Sequence, residues 1–309
     1  MRRDASTRAG YDRAAYLGTV VDALLDALMP RLPARGAALA GLSGLQASGK
    51  STLAAQLAAA AHERGIATEV LGLDDFYLGR RDRAALARDV HPLLATRGVP
   101  GTHDIALLVE TVRALRSASA RHPARIPRFD KGSDTRLPPS RWRSVTSPPR
   151  LILLEGWCIG VPPEAPSAIA HPVNALERIE DPDARWRTWV NARLADEYAA
   201  LWRELDALIV LAAPSFEIVS RWRDEPERAL RKRGAPRAMS RATLRRFLMH
   251  YERLSRRALR TLPELADIVI ELDTSRSVVS VRVRRRRPSR TRAPRSRPAR
   301  PRSRRSASR

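Results

Sequence analysis

Apolar positions recur along this chain in two alternating rhythms. Steps of three and four residues bring Leu17, Val20, Val21, Leu24, Leu25 and Leu28 onto one face, which predicts an amphipathic helix near the start. Residues 38–43 (ALAGLS) form a short apolar run, and 51–63 return to helical spacing, with Gly65 placed to cap that helix. The run at 67–73 predicts a second strand ending at Asp74. A helix follows over 104–119, with Asp104 near its N-cap. Continuous apolar runs at 150–154, 207–213 and 267–272 predict buried strands, the first ending at Glu155 and the second closed by Pro214. Residues 278–283 offer one more. The pattern also predicts a long helix over 184–204 and Arg-rich helices over 215–232 and 240–260.

Strands without polar alternation, separated by helices, imply a parallel sheet buried on both faces. The expected fold class is therefore α/β: three layers, a mostly parallel central sheet, helices on both faces. Three parts are expected: an N-terminal amphipathic helix (1–36), one catalytic domain (37–283) and a disordered Arg-rich tail (284–309). Within the domain, 120–149 breaks the rhythm with six prolines and many charges, so it reads as a long loop on the substrate side. There is no internal repeat.

Composition changes this picture in three places. Hydrophobic content of 43% suits an ordinary globular domain. A single cysteine, Cys158, excludes an internal disulfide framework and suits the cytoplasm. The charged start and the lack of any uncharged apolar run of about 18 residues predict neither a secretory signal nor a membrane span. The net charge of +24 is uneven, because Arg282–Arg309 holds 14 arginines and no acid, leaving +10 for the remainder. Such a tail would bind nucleic acid only weakly and non-specifically, by counterion release, with no aromatic interleaved for base stacking. Lysine occurs only at Lys50, Lys131 and Lys232.

Lys50 lies in the strongest motif of the chain. Gly44-Leu45-Gln46-Ala47-Ser48-Gly49-Lys50-Ser51 matches G-x-x-x-x-G-K-[ST], with a strand before it and a helix after it. Backbone N–H groups of such a loop cradle phosphate oxygens, and the helix behind presents its positive end. Lys50 is expected on the β- and γ-phosphates of ATP, with Thr52 beside the loop, and the Ser51 hydroxyl is a natural Mg²⁺ ligand. Phosphoryl transfer to a hydroxyl also needs carboxylates that orient the nucleophile and hold the metal. In open α/β sheets these sit beyond the carboxyl ends of strands. Asp74, Asp75 and Glu155 occupy such places, with Asp74, Glu155 and Ser51 expected near Mg²⁺; the plainer role of Asp74 or Asp75 is to cap the next helix.

The ordered segments GLQASGKST, LGLDDFYLGRR (72–81 with its preceding Leu71), RGVPGTHD (97–104), RIPRFDKGSD (125–134), LLEGW (153–157), VNALE (173–177), RWR (221–223) and HYERL (250–254) resemble the D-glycerate 3-kinase family. That family belongs with the P-loop kinases related to uridine kinase, phosphoribulokinase and pantothenate kinase. The likeness runs from about residue 37 to 275. It implies ATP-dependent phosphorylation of D-glycerate at the 3-hydroxyl, with Asp74 as the base and Glu155 near metal and substrate. It also implies an arginine-bearing lid helix within 215–240, on which Arg223 and Arg228 are expected to act. Pro226 departs from this pattern, since proline interrupts a regular helix.

A small hydroxy acid needs a cation for its carboxylate and hydrogen-bond partners for two hydroxyls. Arg128, Asp130 and Lys131 in the long loop, His103 and Asp104, and Asp75 and Tyr77 could supply them. For His103 and Asp104, helix capping and plain exposure are the alternative. Tyr77, Phe129 and Trp157 leave a nucleoside acceptor open, against the alternative that they pack in the core. A pantothenate-type acceptor and a nucleic-acid-binding ATPase are the remaining alternatives. The oligomeric state is not legible in the sequence.

Overall fold

The computed structural model describes residues 18–232 and 239–284. The first 17 residues, positions 233–238 of the expected lid region, and the tail from 285 onward, with the nucleic-acid role assigned to it, lie outside the described residues. Helix α1 covers 18–28. Then come β1 (Ala38–Gly44), α2 (Lys50–Glu63), β2 (Thr68–Gly72), α3 (Arg80–Asp89) and α4 (Ile105–Arg116). Four short strands follow: β3 (Ala124–Ile126), β4 (Phe129–Asp130), β5 (Thr135–Arg136) and β6 (Arg143–Val145). After β7 (Leu151–Gly156) come α5 (Pro166–Ile169), α6 (Ala175–Glu180), α7 (Arg185–Arg193) and α8 (Ala199–Trp202). The chain continues through β8 (Ala207–Ala212), α9 (Glu217–Lys232), α10 (Arg241–Leu265), β9 (Ile268–Leu272) and β10 (Val278–Val283).

Six strands form one sheet in the order β10-β9-β8-β1-β7-β2. Every pair is parallel except β9–β10 at one edge. All seven residues of β1 are buried, which requires helices on both faces of the sheet. The apolar stripe of α1 (Val20, Val21, Leu24, Leu25, Leu28) joins the same core as the sheet. Its polar face is tied down by Arg64, which pairs with Asp22 at 2.7 Å and Asp26 at 2.6 Å. Among the described residues no helix is long and apolar enough to cross a membrane.

Three of the expected elements differ from the sequence expectation. The segment 120–149 is not structureless: β3 pairs with β6 and β4 with β5, both antiparallel. The helix expected over 184–204 contains a π turn at Leu194–Tyr198, between α7 and α8. The expected break at Pro226 is also absent, because α9 runs on to Lys232. Proline has no N–H for the carbonyl four residues back, here Trp222. That carbonyl accepts instead from the Arg276 guanidinium at 3.3 Å. The same guanidinium lies over the Trp222 ring at 5.4 Å, and Trp222 Nε1 donates to the Thr274 carbonyl at 2.9 Å. Arg276→Ala should therefore cost about 1–3 kcal/mol by leaving a buried carbonyl without its partner. A lower urea midpoint at unchanged slope would show it.

Candidate active site

Three adjacent strands end at one place. In the sheet register Leu42 of β1 and Gly72 of β2 both lie beside Glu155 of β7. Beyond these ends the chain must turn, and each turn carries chemistry. After β1 comes the phosphate-binding loop. Gly44 permits its tight return, since a Cβ there would stand 2.7 Å from Ser48 Oγ. Gly49, at φ +94°, is the N-cap of α2 in the left-handed region. After β2 a 3-10 turn, Leu73–Phe76, lifts Asp74 and Asp75 above the sheet.

A cavity of about 350 Å³ opens over these turns. Gln46, Ala47, Lys50, Ser51, Asp74, Asp75, Tyr77, Lys131, Glu155 and Arg223, all singled out from the sequence, line it. Ser51 Oγ donates to Glu155 Oε1 at 2.8 Å. Asp74 receives Lys131 Nζ at 2.6 Å and the Tyr77 hydroxyl at 2.7 Å. Burial alone would raise the Asp74 carboxyl. The charge and hydrogen bond of Lys131, the hydrogen bond of Tyr77 and the charge of Lys50 outweigh it and hold the group at about 2. Its neighbour Asp75 is pushed up by burial, although Oδ1 accepts from the Phe129 N–H at 3.0 Å.

A second cavity, of about 360 Å³, lies across the loop, where Ala47, Ser48, Gly49 and Thr52 meet Val20, Leu211, Leu272 and Val278. Leu45, 2% exposed, faces the core. Ser48 Oγ and both amide atoms of Gln46 are buried without a hydrogen-bond partner among the described residues. A loop that keeps buried polar atoms unsatisfied fits a polar ligand better than a packing role. Among the described residues no cluster of three or more His, Cys, Asp or Glu side chains could hold a metal by itself. Mg²⁺ needs no such cluster, since it takes one or two protein ligands with phosphates and water.

Five expected site residues stand elsewhere. His103, 3% exposed, lies behind Tyr77, stacked at 4.7 Å, with Nδ1 2.7 Å from the Tyr198 hydroxyl. Burial lowers its pKa to about 4, so it is a neutral packing partner. The π turn places Tyr198, whose hydroxyl also takes the Gly101 N–H at 3.0 Å. Asp104 caps α4 through the Leu107 N–H at 3.0 Å and pairs with Arg136 at 3.1 Å, and it does not line the cavity. Asp130 shapes its own turn by accepting from the Gly132 and Ser133 N–H groups. Arg128 is exposed and does not line the cavity. Arg228 points to Asp224 along α9 at 3.2 Å, and Arg223 faces the cavity. Sequence reasoning missed Arg97, Phe247 and Tyr251, which line the cavity, while Trp157 both lines it and, at 2% exposure, packs in the core. The segments RGVPGTHD and HYERL were the available signal.

No protein-family model matches the chain. It is 31% identical over 224 residues to the uncharacterized kinase mug58 of Schizosaccharomyces pombe, covering 68% of this chain and 77% of that protein. It is 32% identical over 202 residues to the chloroplastic D-glycerate 3-kinase of Arabidopsis thaliana, covering 63% of this chain but 42% of that protein. The solved D-glycerate 3-kinase of Cryptococcus neoformans var. grubii superposes with a TM-score of 0.70 at 21% identity, over 86% of this chain and 98% of that one, which is a likeness of fold. A phosphate-binding loop, an acid-bearing turn after β2 and the 31–32% identity to these two kinases agree: the chain belongs to the P-loop kinase family that includes the D-glycerate 3-kinases.

Proposed function

We propose that this protein transfers the γ-phosphoryl group of ATP to the 3-hydroxyl of D-glycerate. The observation that carries the reading is Asp74. It is an ionised carboxylate held by Lys131 and Tyr77, in the same cavity as Lys50 and the Ser51–Glu155 pair. The backbone of the Gly44–Ser51 loop and Lys50 would bind the β- and γ-phosphates. The second cavity, walled by Val20, Leu211, Leu272 and Val278, has the apolar character a nucleobase needs. Ser51 and Glu155 would hold Mg²⁺, with Asp74 on the acceptor side, and the ion would supply charge neutralisation. Asp74 orients the acceptor hydroxyl and receives its proton as the bond to phosphorus forms. Arg223, carried by α9, offsets charge on the transferring group. Asp75 and Tyr77 keep the turn and Asp74 in place.

The covered aromatic rings favour a small acid over a nucleoside. Tyr77 is stacked on His103 and meets Phe129 edge-on at 5.3 Å, and Trp157 meets Tyr251 at 4.9 Å. Each of these rings is 6% exposed or less, which leaves little face to stack on a base. Coupled ADP release across D-glycerate, L-glycerate, uridine and pantothenate, with Lys50→Ala as the blank, tests the reading. Turnover confined to D-glycerate and lost in Lys50→Ala is expected. Turnover on uridine or pantothenate without D-glycerate would sink the acceptor and keep the kinase.

A further inference from the structure

Besides Lys50, three cations line the cavity: Lys131, Arg223 and Arg97. They are not equivalent. Lys131 is engaged by Asp74 at 2.6 Å. Arg223 rides on α9 and turns back along it to Glu227 at 3.4 Å. Arg97 sits in a loop whose backbone is fixed on three sides. Its carbonyl accepts from the Tyr251 hydroxyl at 2.8 Å. The Gly98 carbonyl accepts from Trp157 Nε1 at 3.0 Å, and the Gly98 N–H donates to Thr102 Oγ1 at 2.9 Å.

Its side chain is as firmly placed. The guanidinium lies over the rings of Tyr77 and Phe129, 6.0 and 5.7 Å from their centres. Nη1 is held by Asp134 Oδ1. The other oxygen of Asp134 is taken at 2.5 Å by Arg83, which is 2% exposed, and Arg80 stands 3.9 Å away. One carboxylate thus faces three guanidiniums, which leaves a local surplus of positive charge beside the cavity. Among the described residues Asp134 is the only acceptor bonded to the Arg97 guanidinium, which has five N–H donors in a planar fork. The Tyr77 ring beneath it carries the hydroxyl bonded to Asp74, so Arg97 and Asp74 are held to one rigid support.

We propose that Arg97 binds the carboxylate of the acceptor, that Asp134 positions it for that task, and that the cavity therefore selects small hydroxy acids over their neutral alcohols. The proposal rests on the kinase reading above and assigns what recognises the acid. A planar fork clamped at one end and stacked on rings suits a carboxylate far better than a mobile ammonium would.

The test is steady-state kinetics of the full chain with D-glycerate and with glycerol, alongside the KM for ATP and a thermal melt. Arg97→Ala should raise the D-glycerate KM by about 10- to 100-fold, as expected for losing a charge-assisted pair, with the ATP KM unchanged. Arg97→Lys should recover only part of this, and added guanidinium should restore turnover in Arg97→Ala. Asp134→Asn should raise the D-glycerate KM at nearly constant kcat, a split that mere loosening of the loop would not give. If a variant melts early, guanidinium rescue of the folded fraction remains the deciding readout. Wild-type turnover of D-glycerate with its KM unmoved in Arg97→Ala, or equal wild-type use of glycerol, would overturn the assignment and leave the kinase standing. Wild-type turnover of uridine with none on any hydroxy acid would overturn both.

Discussion

Asp74→Asn should lower kcat with D-glycerate by about 10²- to 10⁴-fold, the range for removing a positioned base, while the KM for ATP stays where it was. The amide keeps the size of the carboxylate and can still accept from Tyr77. It cannot keep the ion pair with Lys131, and it cannot take the hydroxyl proton. A carboxyl held at about 2 is a weak base, so it would not strip the hydroxyl in advance. Its use lies in orientation and in receiving the proton late, when the oxygen–phosphorus bond has made that proton acidic. This suits a loose transition state with little nucleophilic participation. A carboxylate has about four lone-pair sites, so Lys131 and Tyr77 leave room for the incoming hydroxyl.

The sign of the pH dependence follows. A base works only when ionised, so a depressed pKa extends activity towards acid. The wild-type profile of kcat/KM should show no fall assignable to Asp74 down to about pH 4, two units above the value at which it is held. Lys131→Met removes the largest charge and hydrogen bond that depress it and leaves burial, which raises it, opposed by Tyr77 and Lys50 alone. The acid limb should then move up by about 1–3 pH units. An acid limb that stays in place in Lys131→Met would mean that Asp74 does not govern the rate.

Much of this site was legible in the sequence because its parts lie at strand ends. Apolar runs mark the ends of β1, β2 and β7, so the pattern points to the loop at Gly44–Ser51, to Asp74 and to Glu155. What the pattern could not show was which loops return to the cavity. His103 and Asp104 follow immediately in a segment that does return, yet their side chains turn to Tyr198 and to α4, while Arg97 at the other end of the segment faces the cavity. Helix α3 was missed for a related reason. Its one buried side chain is Arg83, paired through Nη2 with Asp134 51 residues away, so no apolar stripe announces it. The short strands within 120–149 were missed because two or three residues are too few to display a period. At Pro226 the local rule was sound, and a distant guanidinium, Arg276, overrode it.

Arg253→Met should destabilise the fold by about 3–5 kcal/mol, the usual cost of breaking a buried ion pair from one side. Arg253 of α10 is 7% exposed and holds two carboxylates. Its Nε and Nη2 meet Glu177 at 2.8 and 2.6 Å, and its Nη1 meets Glu164 at 2.9 Å. It also donates to the carbonyls of Ala168 and His171. These contacts fasten the whole 164–177 segment to α10, far along the chain from the sheet strands that flank it. Methionine fills most of the volume and satisfies none of the acceptors, so Glu177, with no exposure, is left without its cation. For a domain of this size the loss corresponds to about 2–4 °C in Tm per kcal/mol, or roughly 10 °C. Glu164 keeps Arg260 at 3.2 Å, so the control is the double variant with Glu177→Gln. Once the stranded charge is gone, a substantial part of the stability should return, because the penalty lies in an unpaired carboxylate rather than in a missing attraction. A double variant no more stable than Arg253→Met would instead place the energy in the carbonyl contacts. The same variants should leave the KM for ATP of the folded fraction unchanged in steady-state kinetics, since neither carboxylate lines either cavity beside the phosphate-binding loop.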